Sequence, residues 1–132
     1  MADSYFTLEQ AQELVGWLEE SFAELRPLTR ELNELNDRIY GLEGRVHSNG
    51  GSSVEERLTG DRRDRDRISG LIERHIQPIL KLGILIKNIQ PGLVDFPCMR
   101  EGREVYLCWH AGESDIRFWH EVESGFAGRQ SL

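Results

Sequence analysis

One pattern governs what this chain can fold into: apolar residues recur three and four apart through the whole first third of the sequence. Leu8, Ala11, Val15, Leu18, Phe22 and Leu25 alternate those steps, and Leu28, Leu32, Leu35, Ile39, Leu42 and Val46 continue them. That period puts one apolar stripe on a helix. Thr7 is a good N-cap, Gln10 completes a capping-box pattern and Phe6 stands at the staple position before it. Near Pro27 two steps of three come in succession, a stammer beside a residue that forfeits a helical hydrogen bond. The spacing predicts a first helix over residues 7–47, bent near Pro27.

His47-Ser48-Asn49-Gly50-Gly51-Ser52-Ser53 predicts a loop over 48–53, with Ser52 or Ser53 capping the next helix. This second helix, over 54–82, opens on Glu55 and Glu56, where the helix dipole favours acids. Its seam runs Val54, Leu58, polar Asp61 and Arg65, then Ile68, Ile72, Ile76 and Ile79, and Gly83 is the expected stop. Two long helices joined by a short loop fold back as an antiparallel hairpin.

After Gly83 the period changes to two. Short β-branched or aromatic runs at 84–87, 93–96, 105–109 and 116–119 are separated by Gln90-Pro91-Gly92, Glu101-Gly102 and Gly112-Glu113-Ser114-Asp115. These predict a small antiparallel meander over 84–121, followed by a tail over 122–132. The expected architecture is α+β in a single domain, a long antiparallel helical hairpin followed by a small antiparallel sheet. Its 132 residues suit one domain with a modest core.

Charge limits the partners. The net charge of −7 argues against a nucleic-acid backbone, since such binders usually carry a basic field. The run DRRDRDR at 61–67 largely neutralises itself if Asp61 pairs with Arg65 and Arg62 with Asp66. The longest apolar run, Ile79 to Ile86, is too short to span a bilayer, and the start lacks the basic and apolar parts of a signal peptide. A cytoplasmic location is expected.

Both cysteines, two of the three tryptophans and two of the four histidines fall between Gly92 and Arg129. A two-residue turn at Glu101-Gly102 sets Cys98 opposite Val105 and Asp95 opposite Cys108. Val94, Phe96, Val105, Leu107 and Trp109 then share a core face, while Asp95, Tyr106, Cys108 and His110 share the other. Cys98 and Cys108 are offset along the hairpin and point to opposite faces, so no bridge between them is expected. Asp95, Cys108, His110 and His120 form a candidate metal set for zinc or iron, set against the plainer reading of a buried cysteine and surface histidines. Glu113, His120, Arg129 and Trp119 form a candidate ligand-binding set. The plainer alternatives are a loop-stabilising Glu113, an Arg129 that anchors the tail and a Trp119 in the core.

The segments YFTLEQAQELV and LGILIKNIQPGLVDFPCMREGREVYLCWHAGESDIRFWHEVESGFAGRQ resemble the prokaryotic domain-of-unknown-function 2203 family. The motif residues are Asp95, Phe96, Pro97, Cys108, Trp109, Gly112, Glu113, Trp119, His120, Gly125 and Arg129. The resemblance implies no particular reaction. It shifts weight toward Asp95, Glu113, His120 and Arg129, because the family more often has Arg where His110 stands and a small residue where Cys98 stands.

The favoured function is a binding or assembly module that presents a polar site on its sheet to a small-molecule or protein ligand. It is expected to self-associate as a homodimer through stripes at Leu14, Val15, Leu18, Phe22 and Leu25, and at Leu71, Ile72, Ile76, Ile79 and Leu80. The alternative is a small metal-dependent or acid–base hydrolase using Asp95, Cys108, Glu113 and His120.

Overall fold

Thr7 starts the first helix. Its hydroxyl accepts the Gln10 backbone N–H at 3.1 Å, and the Gln10 side chain accepts the Thr7 N–H at 2.9 Å. The computed structural model, which describes residues 4–49 and 52–132, places α1 at Leu8–Glu13 and α2 at Val15–Asn49. The expected single helix is therefore interrupted at Leu14. There the Leu14 N–H turns back to the Ala11 carbonyl at 3.0 Å, a tightened three-residue step, and the ordinary helical bond resumes from Leu18 to Leu14. Pro27 lies inside α2. Helix α3 is Ser52–Lys81, so Ser52 and Ser53 lie within it instead of capping it. Both helices extend into the segment expected to be a loop, whose centre, Gly50-Gly51, lies outside the described residues.

The chain divides into two compact units, Leu25–His75 and a second made of Met1–Glu24 with Ile76–Leu132. In Leu25–His75, α2 and α3 form the hairpin around Ile39, Leu42 and Leu58, with Val46 and Val54 packed at its edge. Arg38 donates to both oxygens of Asp61 at 3.3 Å, and Arg62 donates to Glu43 at 2.9 Å. Asp61 and Arg62 thus pair across the hairpin instead of along α3, and Arg65 takes Asp66 as its partner. Exposed pairs of this kind are worth at most ~1 kcal/mol, so the apolar seam does most of the holding.

The other unit is built on a five-stranded antiparallel sheet in the order β1-β2-β3-β4-β5. The strands are β1 Leu85–Asn88, β2 Leu93–Arg100, β3 Arg103–His110, β4 Phe118–Glu121 and β5 Gln130–Ser131. The β2–β3 register is the expected one, with Arg100 opposite Arg103, Cys98 opposite Val105 and Asp95 opposite Cys108. Glu101 and Gly102 both have positive φ, 52° and 79°, as a type I′ hairpin turn demands. Residues 122–132, expected to be a tail, contribute a 3₁₀ turn at Phe126–Gly128 and the edge strand β5.

Val94, Phe96, Val105, Leu107 and Trp109 are buried on one sheet face, against which Phe6, just before α1, and Phe22, near the start of α2, pack. Phe22 lies 6.4 Å from Trp109 between ring centres. Phe6 packs edge-on to Phe96 at 5.2 Å, and its N–H donates to the Pro97 carbonyl at 2.8 Å. That residue tethers the chain start to the sheet. Gln12 accepts the Ile116 N–H at 2.8 Å, and Glu19 accepts that of Gly112 at 3.2 Å. Val15, Leu18 and Phe22, part of the stripe the sequence offers to a second copy, are therefore buried within the chain.

Gly92 marks a close approach of the start of β2 to Ala111 and to α2. Its φ is +68°, and a Cβ there would stand 2.7 Å from Ala111 Cβ and 3.3 Å from Phe22 Cγ. Gly92→Ala is expected to lower stability by about 2–4 kcal/mol, from left-handed backbone strain plus overpacking. Gly70, inside α3, has open space around it, and Gly70→Ala should raise stability by about 0.5–1 kcal/mol. Urea denaturation of the two variants checks both signs.

Candidate functional site

Alternation places Asp95 on β2, Cys108 on β3 and His120 on β4 on the sheet face opposite the helices. Asp95 lies directly across from Cys108, and His120 across from Tyr106. His120 Nε2 approaches Asp95 Oδ1 to 2.9 Å. With the Cys108 sulfur, these ligand-type atoms all lie within 4.8 Å of one another, and all three residues are buried.

The histidine ring is held from both sides. Its Nδ1 lies 2.7 Å from the Glu121 carbonyl oxygen, which can only accept, so Nδ1 carries a proton. A neutral ring would then aim the bare Nε2 lone pair at the Asp95 carboxylate. Two acceptors cannot share that contact without a proton or a cation between them. Tyr106 covers the ring edge-on at 5.5 Å between centres, and the Lys87 ammonium stands 5.7 Å from the Tyr106 ring centre. Burial, with the Asp95 charge adding to it, pushes the Cys108 thiol up to about 11. It therefore stays protonated and weakly nucleophilic at neutral pH.

A second polar cluster forms around the turn after β3. Glu113 Oε1 accepts the His110 backbone N–H at 2.9 Å, and Arg129 Nη2 donates to both Glu113 oxygens at 2.8 and 2.9 Å. The same nitrogen reaches the Cys108 carbonyl at 3.3 Å, while the Trp109 indole N–H donates to the Glu113 carbonyl at 2.9 Å. The Arg129 guanidinium lies 4.1 Å from the Phe118 ring centre and 4.6 Å from that of Phe126. Glu113 fixes the turn and Arg129 ties down the C-terminal segment.

Residues 4–132 match a family described as an uncharacterized conserved protein, DUF2203. The chain belongs to the DUF2203 family. No curated protein and no solved structure matches it.

Of the four residues proposed as metal ligands in this DUF2203 chain, three converge. His110 shares their face, but its Nδ1 lies 2.9 Å from the Ala111 carbonyl and its Nε2 3.6 Å from Glu113. It belongs to the second cluster. The proposed ligand-binding set also divides. Glu113 and Arg129 meet, whereas His120 is buried beside Asp95. Trp119 lies on the core face opposite Leu107, with the guanidinium of Arg100 at 4.7 Å and that of Arg103 at 5.9 Å. The plainer readings of Glu113, Arg129 and Trp119 describe their contacts well.

The meeting of His120 with Asp95 carries one readable signal. Once Trp119 is assigned to the core face, its neighbour His120 must face the other way, toward Asp95 and Cys108. Alternation also puts Tyr106 on that face, but nothing in the sequence marks it as the lid over the ring.

Both cysteines are free, Cys98 half-buried and Cys108 buried. Burial raises both thiols, Cys108 the further. A raised thiol is protonated and slow below its shifted value. Alkylation of native protein at mildly alkaline pH should therefore label Cys98 first and leave Cys108 intact, whereas denatured protein should label both. Equal labelling of the two in native protein would contradict the burial of Cys108.

Proposed function

We propose that this DUF2203 protein is a cytoplasmic binding and assembly module that forms a homodimer through its helical hairpin. The observation that carries this reading is the thinness of the hairpin unit. Leu25–His75 holds two helices packed along one seam, and Leu28, Leu32, Val46 and Val54 at that seam are only half-buried. Tyr40 is 82% exposed on α2. Covering a few such side chains contributes ~1.5–3 kcal/mol each when burial is complete, enough in sum to offset the entropy of association. Gly41 on α2 and Gly60 on α3 line one groove with Arg38, Arg45 and Asp64, and neither has an atom within 4 Å of where a Cβ would stand, so a partner backbone can approach closely there. The stripe around Val15 and Phe22 does not serve this role, since those residues are already buried within the chain.

A polar ligand surface on the sheet unit would lie at the rim of the second cluster, where Phe126 is 47% exposed beside the Glu113–Arg129 pair. An acid–base or metal-dependent hydrolase is less well supported. Asp95, Cys108 and His120 are buried, and both Glu113 oxygens are engaged. Among the described residues no helix is long and apolar enough to cross a membrane. Nucleic acid is disfavoured by the net charge of −7 and by the pairing of Asp61, Arg62 and Arg65 with neighbours.

Sedimentation equilibrium at micromolar concentration tests the reading. A single species of twice the chain mass is the expected result. A strictly monomeric species would overturn it.

A further inference from the structure

We propose that Asp95, Cys108 and His120 form a binding site for one zinc ion inside the sheet. The donor set comprises a carboxylate oxygen, a sulfur and an imidazole nitrogen, converging within 4.8 Å from three adjacent strands. Sulfur with nitrogen suits a borderline metal such as Zn²⁺ and disfavours Mg²⁺ or Ca²⁺, which take oxygen shells. Charge fits as well. A carboxylate and a thiolate together cancel a doubly charged cation, so the ion adds no net charge to a buried place where an unpaired one is costly.

The ring orientation is the second observation. Metal-binding histidines donate the N–H of their other nitrogen to a carbonyl or carboxylate, which fixes the tautomer. His120 does so through Nδ1 to the Glu121 carbonyl at 2.7 Å, leaving Nε2 to face Asp95 and Cys108. A cation resolves the conflict between the Nε2 lone pair and the carboxylate. From ordinary zinc bond lengths, neighbouring donors in a tetrahedral site lie ~3.3–3.8 Å apart. The 2.9 Å contact between His120 and Asp95 needs to open by less than ~1 Å to admit the ion.

Entry of the ion is proton exchange without redox. The Cys108 S–H bond breaks, a sulfur–zinc bond forms, and the proton passes to solvent. Any proton shared between Nε2 and Asp95 leaves in the same way. With three protein donors, a four-coordinate ion needs one further donor, a water or ligand group carried in with it. His110, although on the same face, takes no part, because its ring is turned to Ala111 and Glu113.

The test uses the full chain, stripped with a chelator and kept anaerobic. Co²⁺ should bind at one equivalent per chain and give a thiolate-to-cobalt charge-transfer band that Zn²⁺ abolishes. The band should persist in Cys98→Ser and vanish in Cys108→Ser. X-ray absorption of zinc-loaded wild-type chain needs no variant, and should show one sulfur at about 2.3 Å with nitrogen and oxygen at about 2.0–2.2 Å. Failure of chain shown to be folded by circular dichroism to bind Co²⁺ would overturn the proposal. So would loss of the band in Cys98→Ser, or a zinc shell with no sulfur or with two. The site is independent of self-association: a metal-free dimer refutes only the zinc site, and a zinc-loaded monomer only the assembly reading.

Discussion

Replacing Asp95 with alanine is expected to lower the unfolding free energy of the metal-free protein by about 3–5 kcal/mol, the usual cost of removing one partner from a buried, hydrogen-bonded acid–base pair. Asp95 and His120 are 1% and 2% exposed, so water cannot take over the lost contact. Asp95→Asn should cost clearly less, about 1–2 kcal/mol, because its amide N–H can donate to a neutral His120 Nε2 in the same geometry. His120→Ala should destabilise by a similar amount to Asp95→Ala. The double variant should then cost much less than the two single losses together, since neither group is left alone. Urea denaturation of the four proteins measures this. An Asp95→Ala variant within ~1 kcal/mol of the parent would show that the pair contributes nothing to the interior.

The second large effect belongs to Glu113. Its carboxylate accepts from the His110 N–H and from Arg129, and its removal leaves a guanidinium that is only 13% exposed with the weaker 3.3 Å contact to the Cys108 carbonyl. The Arg129 Nε already lacks a hydrogen-bond partner, so little else nearby can satisfy that group. Glu113→Ala is expected to cost about 2–3 kcal/mol, within the range for charge-assisted hydrogen bonds. Glu113→Gln should cost less, because it keeps an acceptor. The loss should be local as well as global. Amide hydrogen exchange should speed up over residues 126–132, where Arg129 holds the 3₁₀ turn and β5. Unchanged exchange there in Glu113→Ala would mean that the C-terminal segment is held by its strand pairing alone.

These two clusters differ in how far they can be read from the chain. The β2–β3 hairpin is legible throughout, because a two-residue turn permits one register and alternation then assigns every face. That alone puts Asp95 beside Cys108. His120 is harder, because the connection from Ala111 to Arg117 has no period and leaves the position of β4 open. Glu113 and Arg129 meet because a three-residue 3₁₀ turn and a two-residue strand bring the tail back, and both are too short to show a periodicity.

The helices show the same division. The three-and-four spacing correctly marks the hairpin, since an apolar stripe must be buried wherever the helix goes. It cannot mark the interruption at Leu14, where one tightened turn leaves Ala11 and Val15 both buried and the spacing intact. Nor can it separate the partners of the stripe. Phe22 meets the unit's own sheet at Trp109, a long-range choice that local spacing does not encode. Charge patterning along α3 fails for a related reason: Asp61 and Arg62 find partners on α2 that lie about twenty residues away in sequence.

Asp95 and His120, the buried acid–base pair of the sheet, are committed to one another inside it and are not presented to solvent. Proton–nitrogen correlation spectra of protein labelled with ¹⁵N-histidine test this most directly. The His120 Nδ1 should carry a proton that exchanges slowly with water, because it is buried against the Glu121 carbonyl, and this holds whether a proton or zinc occupies the Nε2 side. A His120 ring whose Nδ1 is unprotonated, or whose N–H protons exchange freely with solvent in folded protein, would contradict it.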